Sequence, residues 1–122
     1  MLLAEIGTLL GCTELLALEQ AGGREIAGCF AADLMSEVLA FSGHAPLLVT
    51  GLTSLQAVHT AEVIDAQAIL YVNDKRPDAQ VTALARARGL PLLSTPLTLY
   101  EACGRLYRAG LPASAKQQGT AP

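Results

Sequence analysis

The sequence predicts a single α/β domain, three-layer-like, with a mainly parallel sheet flanked by helices. Three observations predict it. Residues 47–110 alternate short apolar runs with amphipathic stretches of about ten residues, the pattern of strand–helix–strand units with right-handed crossovers. The run Ala68-Ile69-Leu70-Tyr71-Val72 is apolar throughout, as a strand covered on both faces must be. The 122 residues make about one domain. Charged residues are only 16%, against about 25% in ordinary soluble chains, while Leu and Ala fill 43 of the 122 positions. Such a chain has enough apolar side chains for two core layers and a surplus for contact with a second copy.

Along the chain, residues 2–10 read as a short helix with Leu2, Leu3, Ile6, Leu9 and Leu10 on one broad side, stopped by Gly11. Residues 12–18 are open between strand and helix, because Leu15-Leu16-Ala17-Leu18 suits both. Ala21-Gly22-Gly23 is a turn and residues 25–31 read as a strand. Asp33 is placed to cap a helix over Leu34–Phe41, and Ser42 to Pro46 form a loop. Leu47-Leu48-Val49 is the next strand. Thr53 and Gln56 have the spacing of a capping box for a helix from Ser54 to about Asp65. After the strand 68–72, Pro77 suits a first helical turn, with Asp78 beside it favouring the helix dipole. Val81, Leu84 and Ala85 form the apolar stripe of that helix, and Gly89 ends it. The strand at 92–94 leads to Thr95-Pro96, which opens a last helix bearing Leu99, Ala102, Cys103 and Leu106 at i, i+3, i+4 and i+7. Gly110 stops it. Residues 1–112 are thus the domain, and 113–122, polar and small, read as a disordered tail.

The charge pattern narrows the function classes. The net charge is −3, and Lys75-Arg76 is the one adjacent basic pair, so no basic stripe suits nucleic acid. No apolar run exceeds five residues, which is too short to span a bilayer, and no basic start precedes an apolar stretch as in a secretory signal. Cys12, Cys29 and Cys103 form no Cys-x-x-Cys pair and read as reduced, packed thiols; the expected location is cytoplasmic. His44 and His59 lack the neighbours of a metal site, and no cofactor is expected.

In a parallel sheet, ligands gather where strands end and helices begin. Two of the segments this rule makes neighbours offer Thr50, Gly51, Thr53 and Ser54 after one strand, and Asn73, Lys75 and Arg76 after the next. The third adds Thr95. Hydroxyls, backbone N–H groups and two cations suit a small anion. The plainer reading makes Thr53, Ser54 and Thr95 helix caps and Asn73 and Asp74 turn formers. Asp33-Leu34-Met35-Ser36-Glu37 is a second candidate stretch, in which Asp33 and Ser36 can meet a ligand or Asp33 can cap its helix. No phosphate-loop pattern is present.

The stretch from Gly28 to Gly110 resembles the DRTGG domain family, above all stand-alone bacterial members. The likeness rests on Asp33-Leu34-Met35-Ser36-Glu37-Val38-Leu39, Leu47-Leu48-Val49-Thr50-Gly51-Leu52-Thr53, Ala61-Glu62, Ile69-Leu70-Tyr71-Val72, Gly89-Leu90-Pro91-Leu92-Leu93-Ser94-Thr95 and Tyr100-Glu101-Ala102-Cys103-Gly104-Arg105-Leu106. The family's name motifs are absent: Thr50-Gly51-Leu52-Thr53 stands in place of Asp-Arg, and Asn73-Asp74-Lys75-Arg76-Pro77 in place of Thr-Gly-Gly. The resemblance implies a fold similar to the N-terminal domains of HPr kinase/phosphorylase and MurF. It also implies a non-catalytic regulatory or ligand-sensing role and a homodimer; the loops described above point to the expected ligand, a small anionic metabolite or nucleotide. The alternative is an interaction subunit of a partner enzyme with no ligand of its own.

Overall fold

The computed structural model describes residues 1–116. In chain order the elements are α1 (Leu3–Leu9), β1 (Thr13–Leu16), a 3-10 turn (Ala21–Gly23), β2 (Cys29–Ala31), α2 (Met35–Phe41), β3 (Leu47–Thr50), α3 (Leu55–Val63), β4 (Ala68–Tyr71), α4 (Ala79–Ala87), β5 (Leu92–Ser94) and α5 (Leu99–Arg108). They build a five-stranded sheet in the order β1-β5-β4-β3-β2. Strands β2 to β5 are parallel neighbours, and β1 joins β5 antiparallel at the edge. Within the undecided stretch 12–18, Thr13–Leu16 is therefore a strand, because the open edge of β5 offers it a ladder to complete.

Because β2 to β5 advance in one direction, right-handed crossovers put α2, α3 and α4 on the same face. There Met35, Val38, Ala57, Val58, Ala61, Val81 and Ala85 pack on Leu48, Ile69, Tyr71 and Leu92. The opposite face carries Leu47, Val49, Ala68, Leu70 and Leu93, covered by Leu3, Ile6 and Leu10 of the α1 region and by Ala102 and Leu106 of α5. Every residue of β3, β4 and β5 is buried, which is why their sequences alternate little. The three-layer expectation holds.

Several boundaries differ from expectation, each for a local reason. Residues 25–26 do not extend β2. Glu25 bridges Leu2, and the Ile26 amide donates to the Met1 carbonyl, so this stretch pairs with the chain start. Helix α2 begins after Leu34, whose side chain makes no capping bond; Asp33 lies one residue too early and does not cap. The Thr53–Gln56 capping box does not form: α3 begins after Ser54 with no side-chain cap, and ends before Asp65, which is left-handed at φ 58°. Asp78 is the N-cap of α4, its Oδ1 accepting from the Val81 amide at 3.0 Å, so Pro77 stands before the helix rather than inside its first turn. Helix α5 starts three residues later than Thr95-Pro96 suggests, because Thr98 supplies the cap for the Glu101 amide. Gly89 and Gly110 end α4 and α5 as expected, at φ of 65° and 97°, which L side chains rarely adopt.

The chain beyond Pro112 also departs from the expected tail. Ala113 bridges Cys29 in parallel, the Ser114 amide donates to the Cys29 carbonyl at 2.8 Å, and the Lys116 amide donates to the Phe41 carbonyl at 3.0 Å. This segment covers part of the free edge of β2, where an unpaired ladder would otherwise face outward. The rest of the expected tail, residues 117–122, lies outside the described residues. No described helix is long and apolar enough to cross a membrane.

The close approach of this segment is testable at Gly28, where a Cβ would stand 3.1 Å from the Pro112 carbonyl oxygen and 3.2 Å from the Ser114 amide. Gly28→Val is expected to lower unfolding stability by about 1–3 kcal/mol in urea titration, the usual cost of overpacking. An unchanged midpoint would mean that residues 112–114 do not hold this position.

Candidate functional site

The parallel run fixes where the loops meet. Thr50, Tyr71 and Ser94 sit in register at the ends of β3, β4 and β5, so their side chains leave the sheet on the same face. All three are buried. Just beyond them a chain of hydrogen bonds crosses from strand to strand. Asp33, past β2, accepts through Oδ1 from the Gly51 amide at 2.7 Å and from Thr50 Oγ1 at 3.1 Å. Thr50 Oγ1 in turn accepts from the Leu52 amide at 3.1 Å. Lys75 Nζ donates to the Gly51 carbonyl at 3.3 Å, and Ser94 Oγ donates to the Lys75 carbonyl at 2.9 Å. The carboxylate that the sequence suggests as a helix cap is thus the anchor of the β3–α3 loop. The Gly51 amide, a charge-assisted donor at short range, is the better partner.

Gly51 lies between the carboxylate and the ammonium. A Cβ there would stand 3.3 Å from Lys75 Nζ and 3.5 Å from Asp33 Oδ1. Among the described residues, Asp33 and Lys75 make no ion pair, so the lysine keeps N–H directions that no protein acceptor fills.

What brings Lys75 back over Gly51 is the loop after β4. Asn73 and Asp74 are both left-handed, at φ of 58° and 55°, in the two residue types that tolerate it best. That turn aims the Asn73 amide at the Leu97 carbonyl and the Asp74 amide at the Thr95 carbonyl, both at 2.8 Å. The loop after β4 leads to α4 on one face and the loop after β5 to α5 on the other. Such a divergence is where open sheets form a crevice; here the two backbone bonds stitch it.

The remaining predicted residues divide. Thr53 and Ser54 are at the start of α3, half-buried and exposed, with no side-chain acceptor for the first amides of that helix. Arg76 is exposed and bonded to Asp74 at 3.3 Å, so its charge is partly spent. Ser36 is exposed on α2, with no hydrogen bond to the cluster. Thr95 is buried; its Oγ1 donates to the Leu10 carbonyl at 2.7 Å and accepts from the Leu97 amide at 3.3 Å, tying the end of α1 to the loop after β5. Glu62, three residues after His59 on α3, pairs with Arg88 at 2.9 Å.

Two features escaped sequence reasoning. Tyr71 carries a buried hydroxyl with no partner, beneath the cluster. A cavity of about 480 Å³ lies between α1, β1 and the 3-10 turn, lined by Ala4, Gly7, Thr8, Cys12, Glu14 and Leu18 among others. Its wall is the stretch left open between strand and helix.

Burial pushes the Cys12 and Cys29 thiols up to about 11, with Cys103 adding to the shift at Cys29. Burial also raises Cys103, and lifts the Tyr71 phenol to about 12. At neutral pH these thiols stay protonated and are weak nucleophiles.

A scan against family models and a search of curated proteins each return no match. A search of solved structures does. The chain is similar over 98% of its length to the crystal structure of the CBS and DRTGG domains of the regulatory region of Clostridium perfringens pyrophosphatase, complexed with the activator diadenosine tetraphosphate. The likeness is one of fold. The TM-score is 0.70 at 13% sequence identity, and the match spans 52% of that chain, about half its length. That chain contains a domain of the family the sequence resembles, and what the match shows is a shared fold.

Two predictions follow from the geometry. Asp33→Ala is expected to speed hydrogen exchange at the Gly51 amide and to cost about 1–3 kcal/mol. Were Asp33 a helix cap instead, faster exchange would appear at the start of α2. The buried acids also set a pH dependence. Each has a folded pKa above its unfolded one, so the folded chain holds its proton to higher pH. Their contribution is intact below about pH 9 and is lost as pH rises toward 11 and 12. Thermal midpoints in reducing buffer should be flat from neutrality to pH 9 and fall above it; a midpoint that rises there would contradict burial of these groups.

Proposed function

We propose that the chain is a non-catalytic regulatory module of the cytoplasm that acts as a homodimer and senses a small anionic metabolite or nucleotide. The observation that carries this reading is the convergence on Gly51 of the loops after β2, β3 and β4, with the Lys75 ammonium held over it and the first amides of α3 lacking side-chain acceptors. In this reading Lys75 meets the anionic group, and Thr53 and Ser54 supply hydroxyls. Asn73 and Arg76 border the ligand, while Asp33 and Thr50 hold the loop that presents Gly51. The fold it shares with a nucleotide-activated regulatory region supports the same direction.

A second reading, an interaction subunit of a partner enzyme, is favoured by apolar side chains left in the open on the helix layer. Leu34 is 59%, Phe41 56% and Val63 73% exposed.

Thermal shift with a panel of nucleotides and acyl phosphates separates the two. A true ligand present at 100 times its Kd adds about 2.7 kcal/mol of stability. That gain should disappear in Lys75→Ala. No stabilisation by any member, together with co-purification of a protein at fixed stoichiometry, would favour the second reading. Light scattering should give twice the 12.7 kDa chain mass; a 12.7 kDa species at every concentration would contradict the homodimer.

A further inference from the structure

The outward strip of α5 is built unlike a solvated helix. Ala102 and Leu106 are buried against the sheet, whereas Tyr100 and Tyr107 are 89% and 80% exposed on the other side. At 100° per residue, Tyr100, Gly104 and Tyr107 fall on one line. Between the two rings Gly104 offers no side chain, and nothing lies within 4 Å of where its Cβ would stand. Glycine in a helix interior is unfavourable relative to alanine, and no neighbour among the described residues requires it here. A groove runs on each side of the strip. One is an apolar concavity of about 430 Å³ that includes Phe30, Cys103 and Tyr107; the other includes Leu9 and Arg105.

The charges on the strip say what fits it. Glu101, which lies 3.6 Å from Arg105 of its own helix, is in the first turn and Arg108 in the last, about 20° apart around the helix and so on the same flank. A helix acidic at its start and basic at its end complements a copy of itself running the opposite way. A parallel copy would set Arg108 against Arg108.

We infer that this strip is the contact between two copies of the chain, with α5 crossing α5 of the partner antiparallel about a two-fold axis at Gly104. The inference takes its occupant, a second copy, from the homodimeric reading above and adds the face. A two-fold axis there maps Gly104 onto itself, which lets the helix axes approach closely. It sets Tyr100 beside the partner's Tyr107, ring against ring, and Glu101 beside the partner's Arg108; each contact occurs twice. Tyr100 of one copy enters the groove beside the partner's Gly104.

The test is the dimer dissociation constant of the full chain by sedimentation equilibrium. Gly104→Lys meets open space in the monomer, so the fold tolerates it, and it should weaken the dimer roughly tenfold or more, as a blocked interface centre does. Glu101→Arg and Arg108→Glu should each weaken it, and the double exchange should recover most of the loss, a result that misfolding does not produce. A wild-type dimer untouched by Gly104→Lys overturns this face while leaving the homodimer standing. Single reversals that weaken the dimer without recovery in the double exchange overturn the antiparallel crossing. A wild-type monomer overturns both the face and the homodimeric reading.

Discussion

The parallel register of β3, β4 and β5 is the constraint on which the remainder rests. Leu48 beside Ile69 and Ile69 beside Leu92 fix the strands in step, with both faces buried. A one-residue slip would turn every one of these side chains to the wrong layer, so the register is strongly held. Because the strands are in step, Thr50, Tyr71 and Ser94 reach the same edge together. The loops that follow them then have no choice but to meet. The site is a consequence of the core.

At that edge the chemistry is modest but organised. One carboxylate holds an amide and a hydroxyl, and one ammonium caps the carbonyl of the same glycine. The two charges face each other across Gly51 without pairing, which leaves the lysine with donor capacity and keeps the loop fixed from both sides. The left-handed pair Asn73-Asp74 costs backbone free energy, and such strain persists where surrounding bonds over-determine it. Here the amides of both residues are bonded to the loop after β5.

Much of this was legible in the sequence, and the exceptions have physical causes. The alternation from Leu47 to Gly110 announced the parallel sheet because buried strands are read by composition alone. The loop residues at 50–54 and 73–76 were placed at one edge by the same logic. Residues 12–18 stayed open because four apolar residues suit either period, and only the exposed ladder of β5 decides. Asp33 was misassigned because capping is a local rule, and its actual partner, the Gly51 amide, lies 18 residues away. The hydroxyl of Thr95 bonds Leu10, 85 residues back in the chain, a contact that no local rule reveals. Residues 113–116 looked like a tail because small polar residues carry no packing signal, yet their backbone supplies bonds to β2 and α2.

We propose that the loops beyond β3 and β4 form one responsive surface. Amide NMR shifts during titration with a nucleotide or acyl phosphate test it most directly. Shifts should concentrate at residues 50–54 and 73–76, with Gly51 and Lys75 moving together. Shifts centred instead on Ala4, Gly7, Cys12 and Glu14, around the cavity beside α1, would contradict it.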